Sequence, residues 1–201
     1  LDIFVRDRTL GTTERLSVSS SEVQGNGDSS YPHISSDGQF VSFISDATNL
    51  VTGDANGVTD VFVRDLVSGA TQRASIDSSA IESNGASSFP YISDEGRFVI
   101  YSSDATNLVT GDTNATADSF IHDTLSGTTE RISLTDGGDE ATGTNSPLAL
   151  GILTGNGQFV ALSVGFDDII SGDSNSNYDV FLYELTDGDG VTASVERDAP
   201  N

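Results

Sequence analysis

The sequence of 201 residues contains no cysteine, methionine, tryptophan or lysine. Without cysteine, the chain has no disulfide framework, no thiolate metal site and no thiol nucleophile. It also lacks any run of about 18 apolar residues, so the sequence predicts no membrane-spanning helix. Because the chain begins with Leu1 rather than methionine, we expect a processed or truncated product.

Positive charge is scarce as well. Eight arginines stand against 31 aspartates and glutamates, which gives a formal net charge of −23. Such a surface repels phosphate backbones and anionic lipids, which excludes nucleic-acid binding and membrane-surface binding. Aspartate outnumbers glutamate by 23 to 8. Since aspartate favours turns and oxygen-ligand sites whereas glutamate favours helices, we expect no helices.

Short elements recur along the chain at a nearly constant spacing. A strand-like segment occurs four times, as Asp2-Ile-Phe-Val-Arg-Asp7, Asp60-Val-Phe-Val-Arg-Asp65, Asp118-Ser-Phe-Ile-His-Asp123 and Asp179-Val-Phe-Leu-Tyr-Glu184. A turn-like element recurs as Asp37-Gly-Gln-Phe-Val41, Glu95-Gly-Arg-Phe-Val99 and Asn156-Gly-Gln-Phe-Val160. The block of residues 45–54 is repeated identically at 103–112. The chain is therefore built from a repeat of about 58 residues, which decides the architecture.

Each repeat is predicted to form four short strands. In the first full copy they are rich in β-branched and aromatic residues and run from Tyr31 to Ser35, Phe40 to Ser45, Asp60 to Asp65 and Thr71 to Ile76. Asp37-Gly38 marks a tight hairpin between the first two strands. The strand at 60–65 is apolar on both faces, which suits a sheet that is packed on each side. Four antiparallel strands covered on both faces are typical of a propeller blade. A solenoid or a sandwich is the alternative.

Two motifs resemble the WD40-like (PD40) repeats of TolB-type β-propellers, which occur in secreted bacterial proteins: Ser36-Asp-Gly-Gln-Phe-Val-Ser-Phe43 and Asp60-Val-Phe-Val-Arg-Asp-Leu66. The family has proline before its Asp-Gly turn, where this sequence has Ser36. The resemblance covers essentially the whole chain and implies an all-β fold of four-stranded antiparallel blades. We expect one propeller domain, or part of one, over residues 1–201, with a half blade at 1–20 and full blades at about 30–79, 88–136 and 146–198. Such propellers serve in assembly, binding, gating and catalysis, so the fold does not fix the function.

Three and a half blades do not close a ring, because propellers need about 4 to 8 blades. One interpretation is that the chain is a fragment or proteolytic core of a longer propeller. The other is that strands from another protein or another copy complete the open blade edges, which would otherwise promote aggregation. We therefore expect a protein partner or self-association through these edges.

The loop before the third strand of each repeat is the best candidate for a binding site. It has the pattern Asp-x-Asn-x-x-x-Asp, which differs from the spacing of an EF-hand. Since Ca²⁺ takes about six to eight oxygen ligands, carboxylates and amide oxygens at this spacing favour calcium. We expect up to three Ca²⁺ sites, with the ligands Asp54, Asn56, Asp60, Asp112, Asn114, Asp118, Asp173, Asn175 and Asp179. The alternative is that these residues cap turns through hydrogen bonds to the backbone.

The sequence contains no recognisable catalytic motif. There is no G-x-S-x-G nucleophile elbow, and His33 and His122, far apart and without cysteine, give poor support for zinc. The leading hypothesis is a non-catalytic, calcium-stabilised propeller module of a secreted or cell-surface bacterial protein, with a structural, adhesive or assembly role. The alternatives are an accessory or gating propeller of a secreted hydrolase and a TolB-like, partner-binding propeller of the periplasm.

Overall fold

The computed structural model describes residues 1–142, 150–154, 157–171, 177–185 and 191–192. All regular structure in these residues is β-strand, and none of them belongs to a helix that could cross a membrane. In chain order the fourteen strands are β1 Phe4–Asp7, β2 Thr12–Arg15, β3 Ser29–Ile34, β4 Phe40–Ser45, β5 Asp60–Asp65, β6 Thr71–Arg73, β7 Ser87–Ile92, β8 Phe98–Ser103, β9 Asp118–Asp123, β10 Thr128–Arg131, β11 Leu150–Leu153, β12 Phe159–Val164, β13 Asp179–Leu185 and β14 Val191–Thr192.

The strands form one two-stranded sheet, β1-β2, and three four-stranded sheets in which the strands follow chain order. All neighbouring strands are antiparallel. The described structure is therefore part of an all-β propeller with three four-stranded blades (β3–β6, β7–β10 and β11–β14) and the half blade β1-β2, as the repeat predicts. The predicted limits of the last blade, 146 and 198, lie outside the described residues.

Apolar side chains of the central strands fill the space between neighbouring blades, as β5 illustrates. Val61 and Val63 pack toward the second blade in a buried cluster that includes Tyr101. On the opposite face of β5, Phe62 joins a cluster with Leu16 of the half blade. A further cluster lies between the second and third blades. Since both faces of a central strand are covered, its sequence is a continuous apolar run rather than an alternation.

In the second and third blades, the glycine of the hairpin between the first two strands lies at a contact between blades. Gly96 and Gly157 have φ angles of +70° and +69°, which favour glycine. A Cβ atom added at Gly96 would lie 2.2 Å from the ring of Phe40, and one at Gly157 would lie 2.2 Å from the ring of Phe98. Each phenylalanine ring therefore packs directly on the hairpin glycine of the following blade. The corresponding Gly38 has a φ of +75° but no atom within 4 Å of the added Cβ.

This difference predicts unequal effects of the same substitution at two glycines. Gly38→Ala should lower the free energy of unfolding by about 1 kcal/mol, because alanine is strained at positive φ. Gly96→Ala should cost about 1–3 kcal/mol more, because its methyl group also displaces the Phe40 ring. Urea denaturation of the two variants measures the difference. Equal losses would show that the ring of Phe40 does not need the space at Gly96.

Candidate metal centre

The candidate loops connect the second and third strands of each blade, and in the first blade the loop ends at a buried carboxylate. Asp60, the first residue of β5, is 0% exposed, and its Oδ1 accepts hydrogen bonds from Ser75 (2.6 Å) and Ser83 (3.0 Å). Asn56 donates from Nδ2 to Asp60 Oδ2 at 2.9 Å, while its Oδ1 accepts from the backbone N–H of Val58. The amide oxygen of Asn56 thus caps the turn here, and its assignment as a calcium ligand stays a prediction.

The second blade repeats this arrangement at the equivalent positions. Asp118 is 0% exposed at the start of β9, and its Oδ1 accepts a hydrogen bond of 2.6 Å from Ser133. Asn114 donates to Asp118 Oδ2 at 3.2 Å, and its Oδ1 accepts from the backbone N–H of Thr116. In the third blade, Asp179 begins β13, whereas Asp173 and Asn175 lie outside the described residues.

A buried arginine on the fourth strand of each of these two blades faces the loop carboxylates, a contact that the loop pattern alone does not reveal. In the first blade, Arg73 lies 3.4 Å from Asp54, 3.5 Å from Asp60 and 2.6 Å from Glu82. In the second blade, Arg131 lies 3.4 Å from Asp118 and contacts Glu140. Both arginines partly neutralise the acidic groups around them.

Glutamates 82 and 140 are also part of the site, although the predicted ligand set omits them. Each follows the fourth strand, in the segment that leads to the next blade, and reaches back to the loop. Glu82 accepts a hydrogen bond from the backbone N–H of Ala55, and Glu140 accepts from the backbone N–H and the hydroxyl of Thr113. The signal that identifies them is the repeat itself, since the two glutamates occupy equivalent positions in successive copies, like the two arginines.

The second blade brings three carboxylates close enough to share one ion. Oxygens of Asp112, Asp118 and Glu140 all lie within 4.8 Å of one another. Both carboxylate oxygens of Asp112 are buried, and no group in the described structure donates a hydrogen bond to them. With Arg131 as the neighbouring cation, the cluster carries a charge of −2 when all three acids are ionised. A divalent cation would neutralise that charge.

The electrostatics of the three acids differ. Burial raises the pKa of Asp112, and burial raises the pKa of Asp118 to about 6 against the opposing effects of Ser133 and Arg131. Burial also disfavours the charged form of Glu140, but hydrogen bonds from Thr113 and the contact with Arg131 outweigh it and lower its pKa to about 2. Glu140 is therefore a permanent anion, whereas Asp118 is stabilised by either a proton or a cation.

The first blade has the same residue types but a different arrangement. There Asp54 pairs directly with Arg73, and burial raises the pKa of Asp54 while Arg73 opposes the shift. The half blade has equivalents of the buried aspartate, its serine and its arginine. Asp2 accepts a hydrogen bond of 2.7 Å from Ser17 and lies 3.6 Å from Arg15. Among the described residues, the cluster around Asp112 is thus the candidate metal centre.

The chain has a fold in common with several solved propellers. It is similar to a protein described as TolB from Agrobacterium tumefaciens, with a TM-score of 0.54, 19% identity and coverage of 96% of this chain and 55% of that one. It is also similar to the β-propeller domain of the trilobed protease from Pyrococcus furiosus, with a TM-score of 0.52, 15% identity and coverage of 98% of this chain and 49% of that one. The tricorn protease has a TM-score of 0.54 and 16% identity, with coverage of 98% of this chain and 18% of that one. No protein-family model and no curated protein matches the sequence. At these identities the likeness establishes the propeller fold, and the chain spans about half or less of each neighbour.

The raised pKa of Asp118 predicts a distinctive pH dependence in the presence of a chelator. The carboxyl group takes up its proton near pH 6 in the folded chain but near its usual value of 3.8 in the unfolded chain. Folding is therefore stabilised as the pH falls from 7 to 5, and this gain is lost as the pH rises through 6. Glu140 stays ionised throughout this window.

Asp118→Asn should remove this contribution. As the pH falls from 7 to 5, the free energy of unfolding of the wild type should increase by about 1 kcal/mol relative to that of the variant. Urea denaturation in EDTA measures this difference. Asp37→Asn is the control, because hydrogen bonds from Ser35 and Gln39 hold the pKa of Asp37 below its usual value, outside the window. A difference between wild type and Asp118→Asn that does not change with pH would contradict the protonation of Asp118 near pH 6.

Proposed function

We propose that the chain is a non-catalytic β-propeller module of a secreted or cell-surface bacterial protein, in which Ca²⁺ stabilises the junctions between blades. Its role is structural, in adhesion or in assembly with further strands. The observation that carries the proposal is the cluster of Asp112, Asp118 and Glu140, whose oxygens converge within 4.8 Å beside the unsatisfied oxygens of Asp112.

The origin of the ligands explains why an ion at this point would stabilise the fold. Asp112 belongs to the loop after β8, Asp118 to the start of β9, and Glu140 to the segment that leads to the third blade. The loop and β9 belong to the sheet of the second blade, whereas Glu140 lies beyond that sheet, in an isolated antiparallel bridge with Leu134. A cation bound by all three therefore favours the folded chain over the unfolded chain, in which the ligands are dispersed.

The chemistry of the ligands favours calcium among biological cations. All three are carboxylates, with hydroxyls and backbone carbonyls nearby, and hard oxygen ligands suit Ca²⁺ better than zinc or copper. Calcium sites of extracellular modules bind in the range of about 10⁻⁴ to 10⁻³ M, so they are filled where calcium is plentiful. A location outside the cytoplasm is consistent with this requirement and with the acidic surface.

The positions of the two histidines support a structural role rather than a catalytic one. His33 stacks on Tyr91 of the next blade at a centroid distance of 3.6 Å. His122 is buried, and its Nδ1 lies 2.9 Å from the hydroxyl of Thr129. Burial lowers the pKa of both imidazoles, which keeps them neutral near pH 7. Both rings thus contribute to packing within or between blades.

Calcium should raise the thermal unfolding midpoint of the chain. At a concentration one hundred times the dissociation constant, the stabilisation is about 2.7 kcal/mol, which corresponds to roughly 5–10 °C for a domain of this size. Differential scanning calorimetry in EDTA and in millimolar Ca²⁺ measures the shift. Asp112→Asn should abolish most of it, because the variant loses one carboxylate ligand.

Asp139→Asn is the matched control, because it removes the same charge from an exposed residue next to Glu140. This variant should keep the full response to calcium. Equal midpoints of the wild type with and without calcium would overturn the calcium role, and an equal loss of response in both variants would reduce it to general charge screening.

A further inference from the structure

An asparagine in the loop after the second strand makes the same two contacts in the first and second blades. Its Oδ1 accepts a hydrogen bond from a backbone N–H in the segment that enters the blade, and its Nδ2 donates to the backbone carbonyl two residues earlier in that segment. These bonds are 2.9 Å long, and they connect Asn49 with Asn26 and Gln24, and Asn107 with Asn84 and Glu82. The position requires an amide, because one partner is a donor and the other is an acceptor.

The third blade has an aspartate, Asp168, in place of this asparagine. Its Oδ2 accepts hydrogen bonds of 2.7 Å from the backbone N–H and from the hydroxyl of Thr142, the residue equivalent to Asn26 and Asn84. Its Oδ1 is buried, and no group in the part of the chain that the structure describes donates a hydrogen bond to it. Asp168 therefore keeps the accepting contact of the asparagine and lacks the donating one.

The carbonyl that faces the amide in the earlier blades has a counterpart in the third. Isolated antiparallel bridges form at equivalent places in the three entering segments, and they join Val18 to Gln24, Ile76 to Glu82 and Leu134 to Glu140. The backbone at Glu140 thus repeats the path of the earlier segments, so its carbonyl oxygen has the place of the accepting carbonyls. The Oδ1 atom of Asp168 stands where an amide nitrogen donates to that carbonyl in the earlier blades. Two acceptors meet there without a proton between them.

The surrounding charges make this arrangement more costly. Asp167 precedes Asp168 where the two earlier copies have threonine, so two neutral residues are replaced by two acids. Residues 132–196 contain no arginine, lysine or histidine, and Arg131, just before them, is paired with Glu140. The sequence around Asp168 therefore offers no basic side chain to balance its charge.

We propose that a cation binds between Asp168 Oδ1 and the backbone carbonyl of Glu140, as a second Ca²⁺ site at the junction of the second and third blades. Carboxylate and carbonyl oxygens are ligands that Ca²⁺ prefers, at about 2.3–2.6 Å. Two oxygens spaced like the bonded atoms of the earlier blades can both contact one ion. A bridging water makes two hydrogen bonds of about 2.8 Å and needs a wider gap.

This site is distinct from the centre at Asp112, because it uses the carbonyl of Glu140 rather than its carboxylate. It also has one carboxylate instead of three. Since affinity for calcium rises with the number of charged ligands, the second site needs more calcium than the millimolar concentration that fills the centre at Asp112.

Asp168→Asn restores the amide of the earlier blades and should stabilise the chain when no small cation is present. Urea denaturation in EDTA, with tetramethylammonium chloride as the salt, should give an unfolding constant about tenfold smaller than that of the wild type. Asp136→Asn is the matched control, because Asp136 is an exposed acid whose backbone N–H donates to the carbonyl of Ile169, next to Asp168. It removes the same charge and should change the constant by less than about twofold.

The calcium response of the site is measured in Asp112→Asn, which lacks the stronger centre. In this background, about 50 mM CaCl₂ at constant ionic strength should lower the unfolding constant at least about threefold, because the ion binds only the folded chain. Adding Asp168→Asn should abolish this response, whereas adding Asp136→Asn should leave it intact.

Two results would overturn the second site. They are equal stability of the wild type and Asp168→Asn without small cations, and a calcium response in Asp112→Asn that the added Asp168→Asn does not change. If lowering the pH from 7 to 5 removes the disadvantage of the wild type relative to Asp168→Asn and calcium does not, a proton takes the place of the ion and the proposal is wrong. The centre at Asp112 fails separately, if the wild type and Asp112→Asn respond equally to millimolar calcium.

Discussion

A buried carboxylate at the start of the third strand determines how the surrounding residues are arranged in the first two full blades. Asp60 and Asp118 are fully buried, and an unpaired charge in that position would be strongly destabilising. Each is therefore surrounded by a serine hydroxyl, an asparagine amide and an arginine from the adjacent strand. These groups come from the loop before the strand, the strand beside it and the segment after that strand. Satisfying one carboxylate thus fixes the positions of three parts of a blade.

The same requirement explains part of the acidic composition. The glutamate that follows the fourth strand pairs with the buried arginine. It also accepts hydrogen bonds from the loop between the second and third strands of the same blade. Each arginine therefore faces three acids, and the cluster keeps a negative charge that only a proton or a cation can neutralise. In the second blade the fully buried oxygens of Asp112 increase this demand. The acidic side chains of these loops do not serve solubility alone, because several of them are buried in the interior.

Much of the fold follows from local sequence, but only part of the candidate site does, since the loop pattern includes Asp112 and Asp118 but not Glu140. Predicted strands at 40–45 and 60–65 coincide with β4 and β5, because Asp37-Gly38 and the loop aspartates define their ends through local turn chemistry. Arg73 and Glu82 lie far along the chain from the loop and reach its carboxylates only through antiparallel pairing and the connection to the next blade. The roles of Asn56 and Asn114 also depend on geometry, since the same amide can either bind a cation or cap a turn. Only the period of the repeat points to Arg73 and Glu82, which the loop pattern does not include.

The hairpin glycine satisfies two constraints, the tight turn and the contact with a ring of the preceding blade. The sequence reveals only the first. The Asp-Gly pattern predicts a tight turn, and the positive φ of Gly38, Gly96 and Gly157 satisfies it. The absence of a side chain has a second consequence, because the phenylalanine of the preceding blade packs on the bare backbone of Gly96 and Gly157. A blade therefore completes its own core only in contact with the blade before it and the blade after it. Stability in such a chain therefore depends on the interfaces between neighbouring blades as well as on the packing within each blade.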